Sequence, residues 1–319
     1  MTAESAESLT LLEQRVVSAL QVDGRAGTGR IAEVLDLSPR TVTRCVARLQ
    51  SAGKLRVTCV PTPEHGLRGA MLLRVRVLRG RARAIAAALA ALPEVSFVDV
   101  LAGGEELSAI AFGGVDGHLV YDRLPATSAV TETRVLSVLH VFADAAGWRT
   151  GLLTAAEVAA LTPPPRATED VELDELDHRL LAMLTEDART GPGELATRGG
   201  APESTVRRRL DRLGGAGRIR TYADVEARLL GMAVDANVWM TVPPGRLDEA
   251  GRALAAHPLV HGCLATTGTT NLMAAVFCRD LPALYTFVTG LGAFGIPSAE
   301  VTVVGRAVKR AGRAGSQNI

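Results

Sequence analysis

The sequence predicts an α+β protein in which two helical units alternate with two mixed units of strands and helices. Three observations support this prediction: a long internal repeat, a change from helical to alternating periodicity within each copy, and a proline-rich stretch between the copies. Residues 31–56 match residues 195–220 without a gap, at a constant offset of 164 positions. That period is too long for a solenoid, so each copy is expected to contain whole folding units.

Each helical unit shows three short helices followed by an extended wing. In the first copy, an apolar stripe at helical spacing predicts helix one, and residues 31–35 predict helix two. Ser38 is a good N-cap and Pro39 a good first helical residue, so helix three should start there and end at Gly53. The second copy repeats this pattern and ends helix three at Gly217. We predict winged helix-turn-helix domains over residues 10–60 and 172–224.

Each mixed unit alternates apolar and polar residues in strands that flank two helices. The order β-α-β-β-α-β is expected over residues 69–143 and again over residues 231–311, which is the ferredoxin-like order. The stretch between the copies, residues 144–171, contains Pro163, Pro164 and Pro165 and is predicted to be a linker.

Composition indicates a globular protein of the cytoplasm, with no membrane partner. Of the 319 residues, 47% are hydrophobic and 22% are charged, and no apolar run reaches the roughly 18 residues that a membrane span requires. The four cysteines lack CxxC spacing, so we expect buried thiols and neither a zinc site nor a disulfide framework. These are Cys45, Cys59, Cys263 and Cys278.

Basic charge is concentrated in the two helix-turn-helix segments. The whole chain carries a net charge of only +1, but residues 30–60 hold six cations against two anions, and residues 195–222 hold seven against two. On a helical wheel, Val42, Val46 and Leu49 form an inward arc on helix three, and arginines occupy the opposite face.

Helix three of each copy therefore has the pattern of a DNA-recognition helix, with an apolar seam beneath arginine and hydroxyl side chains. The simpler interpretation is a solvated basic face, but the agreement of turn, spacing, charge and duplication favours recognition of double-stranded DNA. The candidate DNA contacts are Arg40, Thr41, Thr43, Arg44, Arg48, Ser204, Thr205, Arg207, Arg208 and Arg212.

The order of these motifs resembles the Lrp/AsnC (feast/famine) transcription regulators. The resemblance rests on Asp23-Gly24-Arg25 after helix one, on the sequence Leu-Ser-Pro-Arg-Thr-Val-Thr-Arg over residues 37–44, and on Pro-Glu-Val over residues 93–95. It implies a small-molecule effector, commonly an amino acid, held near the turn between the second and third strands of each mixed unit. It also implies homo-oligomers and no cofactor. The turn residues that correspond are Gly103, Gly104, Glu106, Gly268, Thr269, Thr270 and Asn271.

The two copies depart from the family pattern in different ways. Glu106 and Asn271 stand where the family commonly has Asp, and Cys45 replaces the second residue of an Arg-Arg pair that the second copy keeps. The two helix-turn-helix units should therefore bind DNA unequally, and the count of arginines favours the second. The turn at Asn271 suits a carboxylate-bearing effector better than the turn at Glu106, unless both turns are merely tight connections. We also expect the two mixed units to pair within one chain and such chains to associate further.

Two other classes of protein were weighed. Sirohaem decarboxylases resemble fused Lrp/AsnC repeats of similar length, but their His-Asn-Tyr motif is replaced here by residues 97–99, and only 3% of the chain is aromatic. An effector-binding protein that has lost DNA binding is disfavoured by the retained arginine faces. We expect no enzyme activity, no catalytic residue and no metal site. His257 and His261 are two ligands at most and are expected to be packing residues.

Overall fold

The computed structural model describes residues 8–60, 69–112, 118–163 and 171–310, and it has the predicted α+β class. Two compact units divide the chain, and each unit takes one segment from each copy of the repeat. Unit one contains residues 1–62 and 145–231, and unit two contains residues 63–144 and 232–319. Within the described residues, no helix is long and apolar enough to cross a membrane. Pro164 and Pro165 lie outside the described residues.

The first half of unit one, named head one, contains α1 (Leu11–Val22), α2 (Thr28–Leu35), α3 (Pro39–Ser51) and β1 (Leu55–Val60). Thr10 and Glu13 form a capping box at the start of α1, and Ser38 caps α3 by accepting a hydrogen bond from the Thr41 amide. Asp36 ends α2 in the left-handed conformation, at φ +55°. Local sequence signals therefore determine where each helix begins and ends.

The second half of unit one, named head two, contains α6 (Glu175–Glu186), α7 (Pro192–Gly199), α8 (Glu203–Gly215) and β6 (Arg220–Val225), followed by a 3₁₀ turn at Ala227–Leu230. Asp174 and Asp177 form the capping box of α6, at the same place in the repeat as the box of α1. The two heads therefore have the same order of helices, turn and wing strand.

The segment predicted as a linker contains a helix, α5 (Ala155–Leu161), that packs on head one. Thr154 and Glu157 form its capping box, and Leu161 is buried. Arg15 pairs with Glu157, and Arg30 donates to the carbonyl oxygen of Ala160 at the end of α5. Arg30 was one of the cations counted near the recognition helix, and the structure engages it with the linker instead.

The two heads form one body because their wing strands pair with each other. Strands β1 and β6 are antiparallel, with Leu55 opposite Val225 and Val60 opposite Arg220. Reciprocal bonds come from the turns after α1 and α6: Arg25 donates to the carbonyl of Ala188, and Arg189 donates to the carbonyl of Gly24 over 2.7 Å. The Asp-Gly-Arg turn that the sequence singled out thus joins the heads.

Gly24 is required at this junction by close packing. A Cβ atom at Gly24 would lie 2.6 Å from Cγ1 of Val57 and 2.8 Å from Cβ of Thr221. We expect Gly24→Ala to lower the free energy of unfolding by about 1–3 kcal/mol, because the wing strands must shift to admit the methyl group. Gly29→Ala is the control, since a Cβ there meets nothing within 4 Å and alanine favours the helix. Urea unfolding measures both, and equal stabilities would contradict the packing role.

Unit two contains the two mixed units, which have the same order of elements. The first is β2 (Met71–Val77), α4 (Ala82–Ala90), β3 (Val95–Leu101), β4 (Glu106–Ala111), a π-helical turn at His118–Arg123 and β5 (Val130–Ala143). The second is β7 (Val234–Thr241), a 3₁₀ turn at Pro244–Arg246, α9 (Leu247–Ala255), β8 (Val260–Thr266), β9 (Leu272–Cys278), α10 (Leu281–Thr289), a 3₁₀ turn at Gly290–Phe294 and β10 (Ser298–Lys309).

The eight strands of unit two close into one antiparallel barrel in the order β10-β3-β4-β2-β5-β8-β9-β7. The long strands β5 and β10 close it, because each pairs with a strand of its own copy and continues onto a strand of the other. One apolar core lies in each copy, and a third cluster of Leu72, Trp239 and Met273 contains residues from both. This arrangement confirms the expected pairing of the two mixed units within one chain.

Candidate nucleic-acid interface and effector turns

The ten candidate DNA contacts lie on α3 and α8, where the sequence predicted them. On α3, Val42, Val46 and Leu49 are buried, while Arg40, Thr43, Arg44 and Arg48 are exposed. On α8, Val206, Leu210 and Leu213 are buried, while Ser204, Arg207, Arg208 and Arg212 are exposed. Thr41 and Thr205 are half-buried at the flank of each helix. Each helix is therefore held by an apolar seam under an open polar face.

One arginine near the end of each recognition helix is tied to the first helix of its own head. Arg48 pairs with Glu13, and Arg212 pairs with Asp177, which is the equivalent pair at the offset of 164. Burial raises the pKa of Glu13, but hydrogen bonds from Thr10 and the charge of Arg48 outweigh it and hold the pKa below its usual value. These arginines position the recognition helix as well as presenting charge.

The carboxylate of Asp177 has a second arginine partner. Its side chain is fully buried, and Arg209 lies 3.0 Å from its Oδ2 atom and 2.7 Å from Asp174. In head one, Cys45 stands at the position of Arg209. Burial raises the pKa of its thiol. The Arg-Arg pair of head two thus divides its roles, since Arg208 faces solvent and Arg209 holds the helix. Glu13 and Asp177 are not among the residues predicted to form the interface, although their capping-box spacing marks both.

Ion pairing changes how many arginines each recognition helix can offer to DNA. Among the residues that the structure describes, Arg40, Arg44 and Arg208 have no acidic partner, whereas Arg207 lies 3.1 Å from Glu203 through its Nε atom. Helix α3 therefore offers two such arginines and α8 offers one. The sequence count favoured head two because it could not tell which arginines are engaged, and the geometry favours head one.

The polar side chains of both effector turns are engaged within the fold. Glu106 accepts a hydrogen bond from Nε of Arg74 over 2.6 Å. Asn271 accepts from the Val242 amide over 2.9 Å and donates to the Val242 carbonyl over 2.8 Å. The side chain of Asn271 thus ties its turn to the backbone just after β7, and both its donor and its acceptor are engaged there.

The backbone of the two turns is more accessible than these side chains. Gly103, Gly268 and Thr269 are exposed, while Gly104 and Thr270 are half-buried. Gly104 and Gly268 adopt positive φ values of +69° and +100°. The carbonyl of Thr269 accepts from Thr241, and that of Thr270 accepts from Thr266.

Arg74 is the centre of a polar cluster between the two mixed units. Its side chain is 7% exposed, donates to both oxygens of Glu300 over 2.9 and 2.7 Å, and lies 4.6 Å from the centre of the Trp239 ring. The hydrogen bond from Arg74 holds the pKa of Glu300 below its usual value. A cavity of about 50 Å³ adjoins the cluster, lined by Arg74, Arg76, Glu106, Glu132, Arg134 and Glu300.

The cysteine and histidine expectations agree with the geometry. All four cysteines are buried thiols. His257 contacts the edge of Phe287, while His261 stacks on Phe277 and lies 3.3 Å from Asp235, so the two histidines have separate packing environments. No cluster of three or more metal-ligating side chains occurs in residues 8–60, 69–112, 118–163 and 171–310.

Comparison with known proteins finds family patterns over three segments of the chain. A winged helix-turn-helix pattern matches residues 9–56, the AsnC-type helix-turn-helix domain matches residues 173–213, and the Lrp/AsnC ligand-binding domain matches residues 235–314. An uncharacterized HTH-type transcriptional regulator of Pyrococcus horikoshii is 33% identical over 137 residues, which is 42% of this chain and 87% of that protein. The chain belongs to the Lrp/AsnC family.

Other relatives show how the family is duplicated here. The HTH-type transcriptional regulator LrpA of Pyrococcus horikoshii is 29% identical over 109 residues, covering 34% of this chain and 77% of that protein. One Lrp/AsnC relative thus matches less than half of this chain. The crystal structure of the sirohaem decarboxylase NirDL covers 94% of this chain and 93% of its own, with 16% identity and a TM-score of 0.59. That likeness concerns the fold.

Proposed function

We propose that this Lrp/AsnC protein is a transcription regulator that binds double-stranded DNA through α3 and α8. The observation that carries the proposal is the pair of open arginine faces, with Arg40, Arg44 and Arg208 unengaged by acids in the described part of the chain. Exposed arginines on such a helix reach phosphates and guanine edges in a major groove. Because β1 and β6 join the heads, both recognition helices belong to one rigid module.

We also propose that the two mixed units are ferredoxin-like effector domains. The strand and helix order and the Lrp/AsnC ligand-binding match over residues 235–314 support this. We propose that a small polar effector, such as an amino acid, contacts the turn at Gly268, Thr269 and Thr270, and that Gly103 and Gly104 form the second, weaker site. Glu106 and Asn271 then shape the turns, since their side chains are already engaged. Further association of chains through these domains remains a prediction.

We infer that the chain is a regulator in the cytoplasm and not a decarboxylase. Asp99 stands within the stretch that replaces the His-Asn-Tyr motif, and its carboxylate pairs with Arg310. The fold shared with NirDL is the one observation that favours an enzyme. Absorption spectroscopy with added iron porphyrin separates the two: a shifted Soret band at stoichiometric protein would favour the enzyme, and an unshifted band the regulator.

The proposed interface is tested with two pairs of substitutions and a matched control. DNA fragments are selected on the full-length chain, and Kd is measured by fluorescence anisotropy at one salt concentration. We expect R40A/R44A to weaken binding by tenfold or more, since each lost contact costs about 1–3 kcal/mol, and R207A/R208A to weaken it less. The double variant R81A/R83A, at the start of α4, removes the same two charges from unit two and should leave Kd unchanged. Unchanged binding by both pairs would overturn the assignment.

A further inference from the structure

The recognition faces of the two heads carry different chemistry at equivalent positions. Arg44 and Arg208 match, as do Thr41 and Thr205. Among the exposed positions that differ, Arg40 corresponds to Ser204, Thr43 to Arg207, and Ala47 to Asp211.

Each difference changes what the helix recognises on DNA. An exposed arginine such as Arg40 suits guanine, whereas the hydroxyl of Ser204 can donate or accept a hydrogen bond and discriminates less between bases. Ala47 offers a methyl group to thymine, while Asp211 accepts from the amino group of cytosine and repels phosphates. Asp211 has no ion-pair partner among the described residues, so its carboxylate is available for such a contact. The two helices are therefore suited to different base sequences.

The heads cannot be rearranged into a pair with identical faces without breaking their junction. Strand β1 pairs with β6, and Arg25 and Arg189 bind across the junction, so one chain presents one head of each kind. Regulators built from identical subunits have two identical faces, and their operators are palindromic for that reason. Here the pairing is intramolecular and the faces differ.

The barrel of unit two adds a second constraint against pairing like copies. Strand register places Arg74 opposite Arg134 and Trp239 opposite Glu300, so positions 74 and 239 are equivalent, as are 134 and 300. Two first copies would bring arginines together where Trp239 and Glu300 now receive Arg74. In such a pair each Arg74 would keep Glu106 but would lose Glu300 and meet further arginines, and this repulsion disfavours exchange between chains.

We propose that the chain recognises a non-palindromic DNA operator composed of two unlike half-sites in a fixed order. This inference rests on the proposed function, since it specifies the DNA that the same two helices bind. Head one reads one half-site through Arg40, Arg44 and Ala47, and head two reads the other through Ser204, Arg208 and Asp211.

The test begins with selection of tight-binding duplexes from a random DNA library on the full-length chain. From the best duplex two symmetrised duplexes are made, in each of which one half-site is replaced by an inverted copy of the other. We expect each symmetrised duplex to bind at least tenfold more weakly, because a single wrong base pair costs about 1–3 kcal/mol. The variant S204R/R207T/D211A gives head two the residues of head one at these three positions and should then prefer the duplex symmetrised for head one.

The possible results separate the inference from the proposed function. Selected duplexes that are themselves palindromic, or symmetrised duplexes that bind as tightly as the original, would overturn the inference and leave DNA binding intact. Failure to select any sequence over random duplex would overturn both. All three substituted side chains are exposed, and Arg207 pairs with Glu203, which is itself exposed. The unfolding midpoint of the triple variant should therefore stay at the wild-type value. If the correctly folded triple variant still preferred the original duplex, the assignment of these residues would be wrong.

Discussion

Replacement of Arg74 by Met should lower the free energy of unfolding of unit two by about 3–5 kcal/mol. Arg74 is almost fully buried and bonds to Glu106 and Glu300, so its loss removes the cation that joins the two carboxylates and leaves Glu106, among the described residues, only Arg76, at 3.9 Å. Urea unfolding is followed by tryptophan fluorescence in a Trp148→Phe background, where the signal comes from Trp239 in unit two.

The control for Arg74 is Arg134→Met, which removes an exposed arginine opposite Arg74 on β5. Arg134 pairs with Glu132, and both side chains are exposed, so we expect a loss of only about 0–1 kcal/mol. If Arg74→Met and Arg134→Met had equal effects, the buried cluster would not hold the two copies together.

Arg74→Met should also change how the stability of the protein responds to acid. Arg74 depresses the pKa of Glu300 in the folded state below its ordinary value of 4.5, so this contribution to stability is present above pH 4.5 and is lost as the pH falls. Wild-type stability should therefore decline more steeply below pH 4.5 than that of the variant. Parallel declines would show that the Arg74–Glu300 pair is not linked to folding.

Asp177→Ala should destabilise head two by about 3 kcal/mol. Its buried carboxylate accepts from Arg209 and Arg212 and from the amide of Asp174, so the substitution frees two arginines and removes part of a helix cap. Thermal unfolding monitored by circular dichroism gives the measurement.

Glu13→Ala is the matched control in head one, at the equivalent position of the repeat. Glu13 meets one arginine, Arg48, where Asp177 meets two, so its replacement should cost less. Equal losses would show that Arg209 adds nothing to the stability of head two.

The sequence alone predicted the elements because their signals are local. The apolar arc of Val42, Val46 and Leu49 is buried as expected, and Ser38 caps α3 as its position before Pro39 indicated. The pairing of β5 with β8 and of β10 with β3 has no such signal. Alternating residues identify a strand and its buried face but do not determine the strand beside it.

The roles of individual side chains were harder to predict than their positions. The helical wheel put Arg212 on the outer face of α8, and it is exposed there, but it also reaches Asp177 because an arginine side chain is long and flexible. Asn271 is predicted to bind a ligand, and nothing in its sequence position indicates that its amide bonds to the Val242 backbone. Neither contact has a periodic pattern, since each depends on which residues the fold brings into reach.

The dependence of DNA affinity on salt is the most direct test of the claim that α3 and α8 bind DNA. We predict that log K of the wild-type chain falls linearly with log salt concentration and that R40A/R44A/R208A has a slope shallower by up to about 2.7, since each phosphate contact contributes about 0.9. An identical slope for the wild type and the triple variant would contradict the account.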